Sequence, residues 1–345
     1  MITLKELAIR SNVSIATVSN ILNGKSNVSK ETRERVMQII KETGYKPNYM
    51  ARGLRASSTK TIGLIVDDIT EFSTPKIIDG IMSELEKKGY RTILENLRFY
   101  TKWEHGEEKI RQYKQDLNSA IQEFQAIKTD GIIYVAGHAH NISDIPEALD
   151  LPLTVCYAFT EREDTPFIMI DDTDAAFKMT EHLIKNGSKK IGVITGKKEN
   201  IHTQKRLEGY KKALQANGIV FDEKIIKEGD WEQNSGYENC AKLLKESPEL
   251  SAIFCFNDMM AAGAYIYLNE KGITPGKDIS IAGFDNRDIS AFLNPPLTTM
   301  EIPLFSIGET AAQIILDMIE NKTPSEQKNY IPCTLIDRKS VRIDK

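Results

Sequence analysis

From Thr61 onward, short apolar runs rich in β-branched and aromatic residues alternate with stretches of helical periodicity, and that alternation leaves few architectures open. Ile62-Gly63-Leu64-Ile65-Val66 is apolar throughout, as a strand buried on both faces must be, and an amphipathic stretch from Ile77 to Lys88 follows it. Runs of the same kind recur at Gly131 to Val135, Leu153 to Tyr157, Phe167 to Ile170, Lys190 to Thr195, Ala252 to Phe256 and Ile279 to Phe284. Strands separated by helices form parallel sheets covered on both faces, so the spacing predicts an α/β body of two doubly wound parallel-sheet subdomains.

The first 60 residues follow a different pattern. Thr3-Leu4-Lys5-Glu6 has the form of a capping box and opens a short helix with Leu4, Leu7 and Ala8 on its apolar face. Ser11-Asn12-Val13 breaks it. Ser14 then caps a second helix, Ile15 to Leu22, that buries Val18, Ile21 and Leu22 and leaves Ile15, Ala16, Ser19 and Asn20 outside. A third helix is capped by Ser29, carries Val36, Ile39 and Ile40 as its stripe, and ends at Gly44. The pattern alone fits any three-helix bundle as well as a helix-turn-helix.

Charge separates those readings. Residues 1 to 60 hold 11 Lys or Arg against 4 Asp or Glu, net +7, whereas the rest holds 34 basic and 45 acidic side chains, net −11. A basic head on an acidic body points to a polyanion bound at one end only, and that polyanion is double-stranded DNA if the two short helices are a helix-turn-helix.

Three strings in the head, Thr3-Leu4-Lys5-Glu6-Leu7-Ala8, Val13-Ser14-Ile15-Ala16-Thr17-Val18-Ser19-Asn20-Ile21-Leu22-Asn23-Gly24 and Gly44-Tyr45-Lys46-Pro47-Asn48, resemble the DNA-binding head of the lactose-repressor family. The resemblance implies that Ile15, Ala16 and Asn20 read bases in the major groove and that Ser14, Thr17, Ser19, Asn23 and Ser29 meet phosphates. Asn20 stands where relatives often carry arginine, and Ile15-Ala16 offers apolar surface suited to a thymine methyl.

Residues 48 to 60 join head and body. A helix from Asn48 to Arg55 is marginal alone and Gly53 weakens it further, so it either folds on a partner or stays a flexible tether. Asn48, Ala51, Arg52 and Leu54 resemble the family's hinge helix, which implies minor-groove contact with Leu54 as the wedge. Wedging costs about a few kcal/mol of unstacking, offset by contacts with the bent DNA.

Ligands of open parallel sheets sit at the carboxyl ends of the strands. There the chain places Asp67-Asp68 with Phe72 in the following loop, Asn257-Asp258, and Asp285-Asn286. Carboxylates and amides beside an aromatic platform suit a hydroxyl-rich sugar. Asp258 also fits as a helix-start acid, and Trp231 also fits as core. The body resembles the same family and the periplasmic sugar-binding fold through Glu181-His182-Leu183, Gly187-Ser188-Lys189-Lys190-Ile191, Arg206-Leu207-Glu208-Gly209-Tyr210, Phe256-Asn257-Asp258, Gly283-Phe284-Asp285 and Pro295-Pro296-Leu297-Thr298-Thr299. It implies effector contacts at Phe72, Tyr157, Gln204, Arg206, Trp231, Asn257 and Asp285. Gln204 replaces a frequent arginine, and Tyr157 replaces the aspartate of the lactose-binding relative. Phe99 to Lys128 exceeds the usual family spacing; its stripe of Ile110, Tyr113, Leu117, Ile121 and Phe124 reads as core.

The expected organisation is a helix-turn-helix head over 1–47, a hinge and linker over 48–60, and an effector-binding and dimerisation body over 61–345. Its N-subdomain takes about 61–160 plus 300–321, and its C-subdomain about 161–299 plus 322–345. No phosphate loop, zinc-binding HExxH or nucleophile elbow occurs, and the four cysteines show no metal spacing, so neither enzyme nor metal site is expected. No apolar run reaches membrane length, which predicts a cytoplasmic regulator without a membrane partner. A homodimer is expected because one short helix reads too few bases. No cofactor is expected beyond a small effector, a sugar or sugar phosphate. A phosphoprotein or purine co-regulator is the alternative.

Overall fold

The computed structural model describes residues 2–22, 27–45, 58–102, 107–143, 149–322 and 326–342. It divides into two units, Met1–Lys60 and Thr61–Lys345.

In the first unit, α1 (Leu4–Arg10), α2 (Ile15–Leu22) and α3 (Lys30–Thr43) enclose a small core of Leu7, Ala8, Val18, Ile21 and Val36. The capping box at Thr3 forms in both directions, with the Thr3 N–H donating to Glu6 at 2.7 Å and the Glu6 N–H donating to the Thr3 hydroxyl at 3.2 Å. Asn12 takes the left-handed turn between α1 and α2 (φ 50°), and Gly44 does the same after α3 (φ 62°).

The second unit begins with β1 (Thr61–Val66), α4 (Thr74–Lys87), β2 (Arg91–Asn96), α5 (Phe99–Lys102), α6 (Glu107–Ala126), β3 (Gly131–Val135), β4 (Leu153–Cys156) and β5 (Phe167–Ile170). The chain then crosses to α7 (Asp172–Lys185), β6 (Ile191–Thr195), α8 (Ile201–Ala216), β7 (Ile226–Glu228), α9 (Gln233–Glu246), β8 (Ala252–Cys255), α10 (Asp258–Glu270), β9 (Ser280–Ala282) and α11 (Asp288–Phe292). It returns through β10 (Thr299–Glu301) to α12 (Leu304–Ile319) and β11 (Lys328–Ile331), and ends in β12 (Thr334–Ile336).

Two parallel sheets result, ordered β11-β5-β4-β3-β1-β2 and β7-β6-β8-β9, with β10 and β12 paired antiparallel as straps between them. Both orders reverse beside their first strand, which opens a crevice at the strands' carboxyl ends. The subdomain boundaries differ from the sequence reading. Phe167–Ile170 pairs with β4, and Lys328–Ile331 pairs with β5. The crossings therefore fall after Ile170 and Ile331 instead of near 160 and 321. Of the stripe on α6, Leu117, Ile121 and Phe124 are buried against the first sheet, so this face is core; the side chain of Ile110 lies outside the described residues.

Candidate functional site: a basic head and an arginine-centred cleft

In the head, Ile15 and Ala16 are exposed at the start of α2, while Ser19 and Asn20 are half-buried further along it. Ser14 and Ser29 spend their hydroxyl oxygens as helix caps, accepting from the Thr17 N–H at 3.0 Å and the Thr32 N–H at 3.3 Å. Thr17 also bonds the Ser14 hydroxyl at 2.9 Å. Asn23 and the hinge residues Asn48, Ala51, Arg52 and Leu54 lie outside the described residues.

The body's site is built around Arg206, which α8 buries almost completely. Its Nε donates to Asp172 at the start of α7 at 2.8 Å, and its Nη1 donates to the Phe256 carbonyl. The guanidinium lies 3.5 Å from the Phe284 ring centre, 5.8 Å from that of Trp231, and 3.8 Å from the Asp285 carboxylate. His202 is one helical turn before Arg206 and shares its face; its Nδ1 bonds the other Asp172 oxygen at 2.6 Å. Tyr157 follows β4 with its ring 5.0 Å from that of His202. His202 Nε2 is buried and has no hydrogen-bond partner among the described residues, nor does the Thr203 hydroxyl.

Opposite Arg206, the Trp231 indole covers Gly196, where a β-carbon would fall 1.9 Å from the ring. Asn257 joins this wall to α10: its amide donates to the Trp231 carbonyl at 2.8 Å and its oxygen caps the helix at the Met260 N–H, also at 2.8 Å. Asp285 stands at φ 108°, a costly backbone conformation for an aspartate, and is 8% exposed. It borders a cavity of about 350 Å³ with Phe72, Lys76, Asn286, Arg287 and Glu301. The Arg287 guanidinium lies 4.8 Å from the Phe72 ring centre.

Burial controls the electrostatics. It pushes Asp285 up to about 8, against the opposing pull of Arg206. It pushes Asp258 up to about 7, although Asp258 accepts from the Thr299 hydroxyl at 2.6 Å and the Arg287 N–H at 2.7 Å. Burial also acts on Asp172, but His202 and Arg206 outweigh it and hold that carboxyl below its ordinary value. His202 thus turns Nδ1 to Asp172 and leaves Nε2 as the ring's remaining polar atom for an incoming hydroxyl.

The structure therefore gathers Tyr157, Arg206, Trp231, Asn257 and Asp285, and places Phe72 on the cavity beside Asp285. Gln204 is not brought in: it is exposed, and its amide donates to the Lys198 carbonyl at 3.2 Å. Residues two apart on a helix point about 200° away from each other, so Gln204 and Arg206 cannot both face the cleft. Asp172 and His202 were missed, although the spacing of four between His202 and Arg206 was available as a signal.

Residues 3–48 match the profile of bacterial regulatory proteins of the lacI family, and residues 180–341 match that of the periplasmic binding protein-like domain. The chain is 32% identical to the transcriptional repressor CytR of Escherichia coli over 341 residues, covering 99% of this chain and 96% of that one. It is 31% identical to the ribose operon repressor of Haemophilus influenzae over 342 residues, 99% of each. The chain belongs to the lacI family of bacterial regulatory proteins. This regulator also superposes on the lac repressor dimer bound to operator and anti-inducer, with a TM-score of 0.82 at 25% identity over 99% of both chains. A transcriptional regulator CelR–cellobiose complex matches at 26% identity and a TM-score of 0.67, over 99% of this chain and 100% of that one. It is thus a DNA-binding transcription regulator with a helix-turn-helix head and a periplasmic-binding-protein-like body.

Proposed function

We propose that this regulator represses carbohydrate-use genes by binding a pseudo-palindromic operator as a homodimer, and that a small sugar in the cleft sets its operator affinity. The observation that carries the effector is the set around Arg206: the buried His202 Nε2, which has no hydrogen-bond partner among the described residues, the carboxyl group of Asp285, an amide at Asn257 and the Trp231 ring. That set can satisfy several hydroxyls while an apolar sugar face lies on an aromatic. Arg206 already pairs with Asp172 through Nε and donates to the Phe256 carbonyl through Nη1, so few of its donors remain for a phosphate, and an unphosphorylated sugar is favoured. Ribose and cellobiose appear in the names of two relatives.

Ile15, Ala16 and Asn20 would read bases, and Ser14, Thr17, Ser19, Asn23 and Ser29 would meet phosphates. Ordering of Asn48, Ala51, Arg52 and Leu54 in the minor groove would couple cleft closure to the head. Exposed Ile93 and Leu94 on the edge strand β2, with Met82 on the neighbouring α4, supply apolar surface for self-association.

A panel of sugars, sugar phosphates and purines, titrated by calorimetry with thermal stability followed in parallel, tests the effector. An unphosphorylated sugar is expected to bind and raise Tm, with affinity reduced about tenfold or more in His202→Phe and in Trp231→Ala. Binding of a purine or sugar phosphate alone, or of nothing, would refute the sugar reading.

A further inference from the structure

Asp172, which holds Arg206, also lines a larger cavity of about 540 Å³ where β5 and β11 meet the first turns of α7 and α8. Three segments serve both places. On α8, His202 and Arg206 share the face toward the effector set, while Ile201 and Lys205, each one position earlier and about 100° round the helix, line the cavity. On α7, Asp172 is followed by Thr173 of the cavity lining. After β4, the chain gives Tyr157 to the effector set and Phe159 to the cavity. The cavity thus begins at a carboxylate bonded directly to Arg206, and the cavity of about 350 Å³ beside Asp285 shares none of its lining.

The lining carries an aromatic ring and balanced charge. Tyr330 on edge strand β11 is 57% exposed, with its ring centre 6.0 Å from that of the buried Phe167 at 89°. Lys328, two positions earlier, lies on the same face of the strand. Among the described residues, neither the Lys328 amine nor the Tyr330 hydroxyl has a hydrogen-bond partner. Lys205 makes an exposed contact with Glu208 at 3.2 Å. These two ammonium groups are matched by the carboxylates of Glu161 and Asp171, since Asp172 is taken up by His202 and Arg206. Such a lining selects no ion. Donors and acceptors beside an aromatic ring instead suit a neutral, hydroxyl-rich unit with an apolar face.

We infer that the effector is a neutral disaccharide or longer oligosaccharide, an inference that rests on the sugar reading of the cleft and adds its length. One unit occupies the set around Arg206, and the next lies in this cavity against Tyr330, within reach of Lys205 and Lys328. Strands β5 and β11 belong to one subdomain and α7 and α8 to the other, so the second unit touches both and adds to the contacts that favour closure.

Calorimetry on the full chain tests the length, comparing cellobiose, maltose, lactose and sucrose with their single units glucose, galactose and fructose. At least one disaccharide should bind about tenfold or more tightly than each of its own units. Tyr330→Ala should lower that affinity about tenfold and leave binding of the single unit unchanged, whereas Trp231→Ala should weaken both. Lys328→Gln, a change at an exposed side chain, reads the same cavity even if Tyr330→Ala disturbs β11, and should weaken the disaccharide alone several-fold. Single sugars that bind as tightly as every disaccharide, or a disaccharide indifferent to both β11 variants, would overturn the inference and leave the sugar reading standing. Absence of binding by any sugar would overturn both.

Discussion

Replacing Arg206 by Met is expected to destabilise the body by about 3–5 kcal/mol and to abolish effector binding. The side chain is buried against the Asp172 carboxylate, and removing one partner of a buried ion pair leaves the other charge uncompensated. Met keeps much of the aliphatic volume, so the loss measures charge more than cavity. Urea unfolding followed by circular dichroism checks the magnitude. The deficit should shrink toward pH 4: without Arg206, the Asp172 carboxyl loses a group that holds its pKa down and protonates more readily in the folded state. Adding Asp172→Asn should restore part of the loss. A cost below about 1 kcal/mol would mean that the pair is solvated or that its charges are otherwise satisfied.

The second large effect is expected at Gly263. Helices α9 and α10 approach so closely that a β-carbon at Gly263 would fall 1.9 Å from the Gln233 carbonyl, and one at Gly236 would fall 2.0 Å from the Met260 carbonyl. Both obstacles are backbone and cannot rotate away. Gly263→Val should therefore cost about 3 kcal/mol or more, at the upper end of overpacking. It should also weaken effector binding, because Asn257 caps α10 and a displaced helix moves the amide that holds the Trp231 carbonyl. Thermal unfolding and a sugar titration read the two consequences. A variant of native stability and affinity would show that the helices can separate freely.

These expectations rest on features of unequal visibility in the sequence. The doubly buried strands β1, β3, β4, β5, β6 and β8 are continuous apolar runs and were located correctly. Edge strand β2 was missed because Arg91-Thr-Ile-Leu-Glu-Asn96 is largely exposed, leaving Ile93 and Leu94 at 43% and 37%, and its mixed pattern reads as neither core strand nor helix. The straps β10 and β12 are three residues each and are defined by their partner across the crossing, which no local pattern encodes. Subdomain limits were misplaced for the same reason: pairing of β5 with β4 and of β11 with β5 is a long-range choice.

Within the site, Arg206 and Trp231 came from a resemblance and Asn257 and Asp285 also from their place at strand ends, and the fold brings them together in one cleft. Gln204 came from the same resemblance and was wrong because helical geometry turns it outward. Asp172 had no signal of its own, since its role depends on Arg206 and His202, 34 and 30 positions later. The grouping of His140 with Tyr113 of α6 and Tyr134 of β3 was equally hidden, because it exists only once that helix is packed on the sheet.

The most direct test of the account is operator binding by the full chain, measured by fluorescence anisotropy at fixed salt, with and without a saturating sugar identified by the panel. The account predicts that the sugar changes operator affinity by about tenfold or more, within the ordinary range of allosteric coupling, and that Asp285→Ala, unable to hold the sugar, shows no change. Unaltered operator affinity with the sugar demonstrably bound in the cleft would contradict it.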